Sequence, residues 1–154
     1  MRPGDLAPDF TLPDQNGVAR TLSTLVGDGP VVLFFYPAAM TRGCTKESCH
    51  FRDLGSRFAA LGAQRVGISM DDVARQSQFA TRYDLDYPLL ADVGGDVARA
   101  YGVKRPVDLL RVKRSTFVID RDRRIVDVIA SEWNMDRHAE HALAALGERG
   151  AATF

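Results

Sequence analysis

The chain has 154 residues, 45% of them hydrophobic and 26% charged, enough for one globular domain over 1–154 with an ordinary core. Twenty basic residues balance twenty acidic ones, so the formal net charge is zero and no long-range field favours nucleic acid or an anionic membrane. No run approaches the ~20 apolar residues of a membrane span, and the first residues lack the apolar stretch of a signal peptide.

A cytoplasmic location is the expectation, and reducing thiol buffers there oppose structural disulfides. Two cysteines in such a chain point to catalysis, redox sensing, metal binding or plain burial, and their surroundings must choose.

In chain order, residues 9–26 hold two short extended pieces around Asn16-Gly17, a strong turn signal, with Pro8 and Pro13 against a helix before residue 20. Residues 31–36 form a continuous apolar, β-prone run closed by Pro37, the pattern of a central strand covered on both faces. Residues 44–61 place Phe51, Leu54, Phe58 and Leu61 at steps of three and four, which predicts one helix that buries this stripe and stops at Gly62. Then follow strand 65–69, helix 72–84, a short strand over 88–91, helix 96–101 and strand 115–120. The polar run 121–124 suggests an antiparallel hairpin to strand 125–130, and helix 136–147 turns Ala142, Leu143 and Leu146 inward. Strands alternating with helices give a layered α/β domain.

The chemistry gathers in Pro37-Ala-Ala-Met-Thr41-Arg-Gly-Cys44-Thr-Lys-Glu47-Ser-Cys49. Cys44 stands where a buried strand and a loop feed the first turn of a helix, and there unpaired N–H groups and the helix dipole favour a thiolate. Thr41, three residues earlier, either lies beside the sulfur to orient a substrate or is the helix N-cap. Glu47, one turn on, is either the carboxylate that orients an arginine or an exposed helix residue.

The Pro-x-x-x-Thr-x-x-Cys pattern resembles the active-site signature of peroxiredoxins. The following Thr45-Lys46-Glu47-x-Cys49-x-Phe51-Arg52-Asp53 is similar to the subfamily called bacterioferritin comigratory protein or peroxiredoxin Q. The likeness runs from Gly4-Asp5-x-Ala7-Pro8-Asp9-Phe10 to Arg114-Ser-Thr-Phe-Val-Ile-Asp120.

That resemblance implies a thioredoxin-like α/β fold, with a central mixed sheet flanked by helices and an N-terminal β extension. It implies a peroxidase in which Cys44 is peroxidatic, Thr41 contacts the peroxide, Pro37 shields the sulfur, Arg114 is the active-site arginine and Cys49 resolves. Gly43 and Cys44 would offer N–H groups to the charge that moves along the O–O axis. The chemistry needs no metal, haem, flavin or selenium. Hydrogen peroxide and organic hydroperoxides are the expected substrates, thioredoxin or a similar dithiol protein the reductant, and a monomer the expected state, with a weak dimer as alternative. The rival functions are a peroxide-responsive redox sensor and a protein disulfide reductase.

Other residues read more blandly. His138 and His141 are expected on a solvated helix face, since two ligands make no metal site, and His50, Met40 and Trp133 as surface or packing. Gly94-Gly95 reads as a turn. Residues 104–113, an apolar patch among basic residues, would shape access, meet a reductant or mediate self-association.

Overall fold

The computed structural model describes residues 1–106, 111–131 and 134–152, so Trp133 and positions 107–110 lie outside the described residues. Strands β1 (Thr11–Pro13) and β2 (Ala19–Thr21) pair antiparallel across the Asn16-Gly17 turn. The short helix α1 (Leu22–Leu25) leads to β3 (Val31–Phe35), followed by α2 (Arg42–Asp53), α3 (Gly55–Ala60) and β4 (Gln64–Ser69). Next come α4 (Val73–Tyr83), β5 (Leu89–Ala91), α5 (Asp96–Ala100), β6 (Ser115–Ile119), β7 (Ile125–Ala130) and α6 (Met135–Ala152).

The main sheet has the order β5-β4-β3-β6-β7, with β3, β4 and β5 parallel and β6 and β7 antiparallel, so the apolar run 31–36 supplies its centre. Every residue of β3 is buried because alternate side chains feed two cores. Val32 and Phe34 pack with Phe51, Phe58, Phe79, Leu143 and Leu146 on one face. Val31, Leu33 and Phe35 pack with Leu22, Leu25, Tyr101 and Phe117 on the other. Phe34 stacks on Phe51 at 4.2 Å between centroids, which fixes α2 on the sheet and contributes ~1 kcal/mol beyond its buried area. Phe51→Ala would cost ~3–5 kcal/mol.

The single helix expected over 44–61 is instead two. Arg65 Nη1 donates to the Phe51 carbonyl at 3.0 Å and ends α2, while the chain turns at Leu54 (φ −90°, ψ 11°). A Cβ at Gly55 would stand 3.0 Å from that guanidinium, so glycine leaves it room against the break. Leu61, expected inside, is 40% exposed, because α3 is already ending. Gly62 does close it, at φ +69°, with Ala63 N–H donating back to the Phe58 carbonyl.

Candidate active site

The end of β3 delivers the loop Tyr36–Thr41, and α2 begins one residue later, so Cys44 is its third residue and is fully buried. Sequence explains the start: Pro37 cannot continue a central strand, and Thr41, at φ −79° and ψ 157°, is the extended residue from which the helix springs. Thr41 caps by backbone position alone. Its hydroxyl makes no capping bond and donates to the Ala38 carbonyl at 2.8 Å, which corrects the side-chain N-cap alternative. Thr41 is exposed, and Pro37 and Gly43 are half-buried.

One side chain distant in sequence reaches the sulfur, and a carboxylate one turn along the same helix holds it. Arg114, from the segment entering β6, places Nη2 3.3 Å from Cys44 Sγ and Nη1 2.9 Å from Glu47 Oε1. Glu47 is fully buried and Arg114 nearly so, so Glu47 is not the exposed helix residue of the second reading and lies paired with the guanidinium. Burial of Arg114 works against its charge, but Glu47 and the Cys44 sulfur outweigh it and hold the guanidinium more firmly protonated than usual. A side chain at Gly43 would meet Arg114 Nη2 at 3.2 Å and the Met135 methyl at 3.1 Å, so glycine lets the guanidinium lie against the helix start.

His138 contradicts its expected place on a solvated face, since it is completely buried. The inward face of α6 is set by Ala139, Ala142, Leu143 and Leu146, and its first turn lies over β6 and α2. Nε2 lies 2.8 Å from the Ser131 carbonyl and carries the hydrogen, because a carbonyl only accepts. Nδ1 lies 2.7 Å from Thr116 Oγ1 and 3.7 Å from Glu47 Oε2. Cys44, Arg114, Glu47 and His138 thus form one buried succession. The pattern of α6 was a signal for this, since His138 lies on the same face as Ala142, one turn on. His141 is exposed, and His50, half-buried, faces Glu140 with Nε2 at 3.4 Å.

Cys49 lies in the same helix, half-buried, and both thiols are free. Burial raises the Cys49 pKa, with Asp53 pushing the same way and Arg52 opposing. No group of three or more His, Cys, Asp or Glu arranged to hold a metal ion occurs among the described residues.

The AhpC/TSA family profile matches residues 3–128. The chain therefore belongs to the AhpC/TSA family and is a thiol peroxidase of the peroxiredoxin class. It is 60% identical over 148 residues to a Mycobacterium tuberculosis protein that bears a peroxiredoxin name, covering 95% of this chain and 96% of that one. It is 40% identical over 145 residues to the chloroplastic peroxiredoxin Q of Oryza sativa subsp. japonica, covering 93% of this chain and 65% of that one.

Among solved structures, peroxidoxin BcpB from Mycobacterium tuberculosis superposes with a TM-score of 0.93 at 59% identity, over 96% of this chain and 97% of that one. The Xanthomonas campestris bacterioferritin comigratory protein, described for alkyl peroxide reduction, gives 0.84 at 27% identity over 97% and 96%. The thioredoxin-like fold and the peroxiredoxin Q likeness expected from the sequence are both borne out.

Proposed function

We propose that the chain reduces hydrogen peroxide and organic hydroperoxides through two cysteines of one chain. The observation that carries this reading is the Arg114 guanidinium bridging the Cys44 sulfur and Glu47 at the start of the helix that also holds Cys49. The Cys44 thiolate attacks a peroxide oxygen. The S–O bond forms as O–O breaks, and the departing alkoxide or hydroxide takes a proton from solvent and leaves as alcohol or water. Arg114, Thr41 and the N–H groups of Gly43 and Cys44 stabilise the charge that moves along that axis, and Pro37 screens the sulfur. Arginine suits the task because it stays charged and offers several donors in one plane.

Cys44 is then a sulfenic acid, and Cys49 attacks it: S–S forms, S–O breaks, and water leaves. Residues five apart in an ideal helix have Cα atoms ~8.7 Å apart, beyond the ~7 Å a disulfide spans, so α2 opens locally. Gly43, Thr45 and Ser48 are poor or middling helix formers, which makes opening cheap. Glu47 lies inside the opening segment, so its pair with Arg114 must part, and the Tyr87 hydroxyl must release the Ser48 carbonyl it holds at 2.7 Å. A dithiol protein such as thioredoxin reduces the disulfide and is itself oxidised. Resolution inside one helix needs no second subunit, so we read the enzyme as a single-domain monomer of the cytoplasm.

The test is the intact mass after one equivalent of peroxide, with and without a thiol-blocking reagent. Loss of both thiols without a covalent dimer is the expected result, and two blockable thiols would overturn the intramolecular route. Continued turnover with a thioredoxin system separates the peroxidase from a sensor, which oxidises once and stops.

A further inference from the structure

The loop between β3 and α2 is shaped by a carboxylate that belongs to neither element. Strands β3 and β4 run side by side in parallel, with Phe35 opposite Ile68 and Tyr36 N–H donating to the Ile68 carbonyl at 3.0 Å. The segment Ser69–Asp71 therefore leaves β4 directly beside Tyr36–Ala39. Asp71 is only 7% exposed, yet it accepts from three groups. Oδ2 takes the Ala39 N–H at 2.7 Å and the Ser69 hydroxyl at 2.6 Å, and Oδ1 takes Arg111 Nη1 at 3.0 Å.

Behind Asp71 the hydrogen bonds between side chains run toward its carboxylate. The Tyr36 hydroxyl donates to Gln76 Oε1, and Gln76 Nε2 donates to Ser69 Oγ at 2.9 Å, leaving the Ser69 proton for the carboxylate. A succession of donors that ends on a group able only to accept is fixed in direction and resists rotation.

Each turn of the loop is thereby tied. Arg111 Nη1 also reaches the Pro37 carbonyl at 3.4 Å, Asp71 holds Ala39, and the Thr41 hydroxyl holds the Ala38 carbonyl. Between these ties Met40 has φ +64°, a left-handed conformation that costs a side-chain-bearing residue roughly 1 kcal/mol and persists only where its surroundings impose it. Arg111 is itself left-handed, at φ +53°, and it brings the end of the 104–113 segment onto the loop.

We propose that Asp71 is a positioning residue for the peroxide. It sets the Pro37–Thr41 backbone, and so the Thr41 hydroxyl, relative to the Cys44 sulfur, with Arg111 as its counter-charge. The Cys44–Arg114–Glu47 contacts do not pass through it. The inference rests on the reading that Thr41 and Pro37 form the peroxide side of the site.

Two reactions of Cys44 separate its role from general support of the fold. Attack on hydrogen peroxide needs the loop, whereas alkylation by a neutral haloacetamide needs only the thiolate. In Asp71→Asn one accepting oxygen becomes a donating NH2 that opposes its present partners. Attack on peroxide should slow about tenfold or more, while alkylation keeps its wild-type rate. Arg111→Ala and Ser69→Ala should show the same selectivity at smaller amplitude, and they decide the matter if Asp71→Asn does not fold. An unchanged peroxide rate, or a parallel fall in both reactions, would overturn the proposal. A wild-type enzyme that fails to consume one equivalent of peroxide at Cys44 would instead overturn the functional reading beneath it.

Discussion

Cys44 and Cys49 share one helix and differ in almost everything around them. Cys44 is sealed from solvent and faces Arg114, which Glu47 holds in place. Cys49, five residues on, is half-exposed, and burial together with Asp53 disfavours its thiolate while Arg52 favours it. Identical side chains in one element thus stand in different surroundings: a guanidinium from the segment entering β6 meets the Cys44 sulfur, whereas burial raises the Cys49 pKa.

The harshest break of that contrast is to remove each sulfur in turn. Cys44→Ser should abolish peroxide consumption, whereas Cys49→Ser should still consume one equivalent and stop, read by peroxide loss in a single turnover. Equal loss in both would erase the distinction. Next in size, Arg114→Ala removes the charged donor at the sulfur and should slow peroxide attack by roughly 10²–10³-fold, measured by stopped flow in the Cys49→Ser background. It leaves Glu47 buried without its counter-charge, so stability should fall by ~3–5 kcal/mol as well, visible in denaturant melts.

The second cysteine is sharpened by pH. Because burial raises the Cys49 pKa, little of it is thiolate near neutrality, and the fraction grows as pH climbs toward and through that raised value. Disulfide formation should therefore quicken with rising pH across the neutral and mildly alkaline range. Asp53→Asn, which removes the carboxylate pushing the same way, should move the profile to lower pH. A flat rate would show that opening of α2, and not deprotonation of Cys49, limits the step.

The smallest effect is the most specific to the segment between them. The Ser48 hydroxyl is buried with no hydrogen-bond partner among the described residues. Ser48→Ala removes that burden and installs the best helix former, at under ~1 kcal/mol from propensity. Disulfide formation should slow, and excess peroxide should carry more Cys44 on to sulfinic acid, seen as a mass gain of two oxygens. Amide exchange over residues 42–52 that is identical in the reduced and disulfide forms would remove the unwinding step altogether.

Much of this was legible along the chain. The apolar run 31–36, the Asn16-Gly17 turn, the hairpin after residue 120 and the Pro37–Thr41–Cys44 spacing are local patterns, and short-range sterics and periodicity are enough to read them. The break at Leu54–Gly55 was not, because it depends on Arg65 arriving from β4 to take the Phe51 carbonyl. The partners that His138 meets, Thr116 and Glu47, and the convergence of Asp71 on Ala39 were hidden for the same reason. One histidine on an amphipathic helix and one aspartate after a strand carry no mark of what will be folded against them. Periodicity tells which face turns inward. Only packing decides which polar group that face meets, because a buried hydrogen bond or ion pair is set by elements tens of residues apart, here 32 between Ala39 and Asp71 and 67 between Glu47 and Arg114.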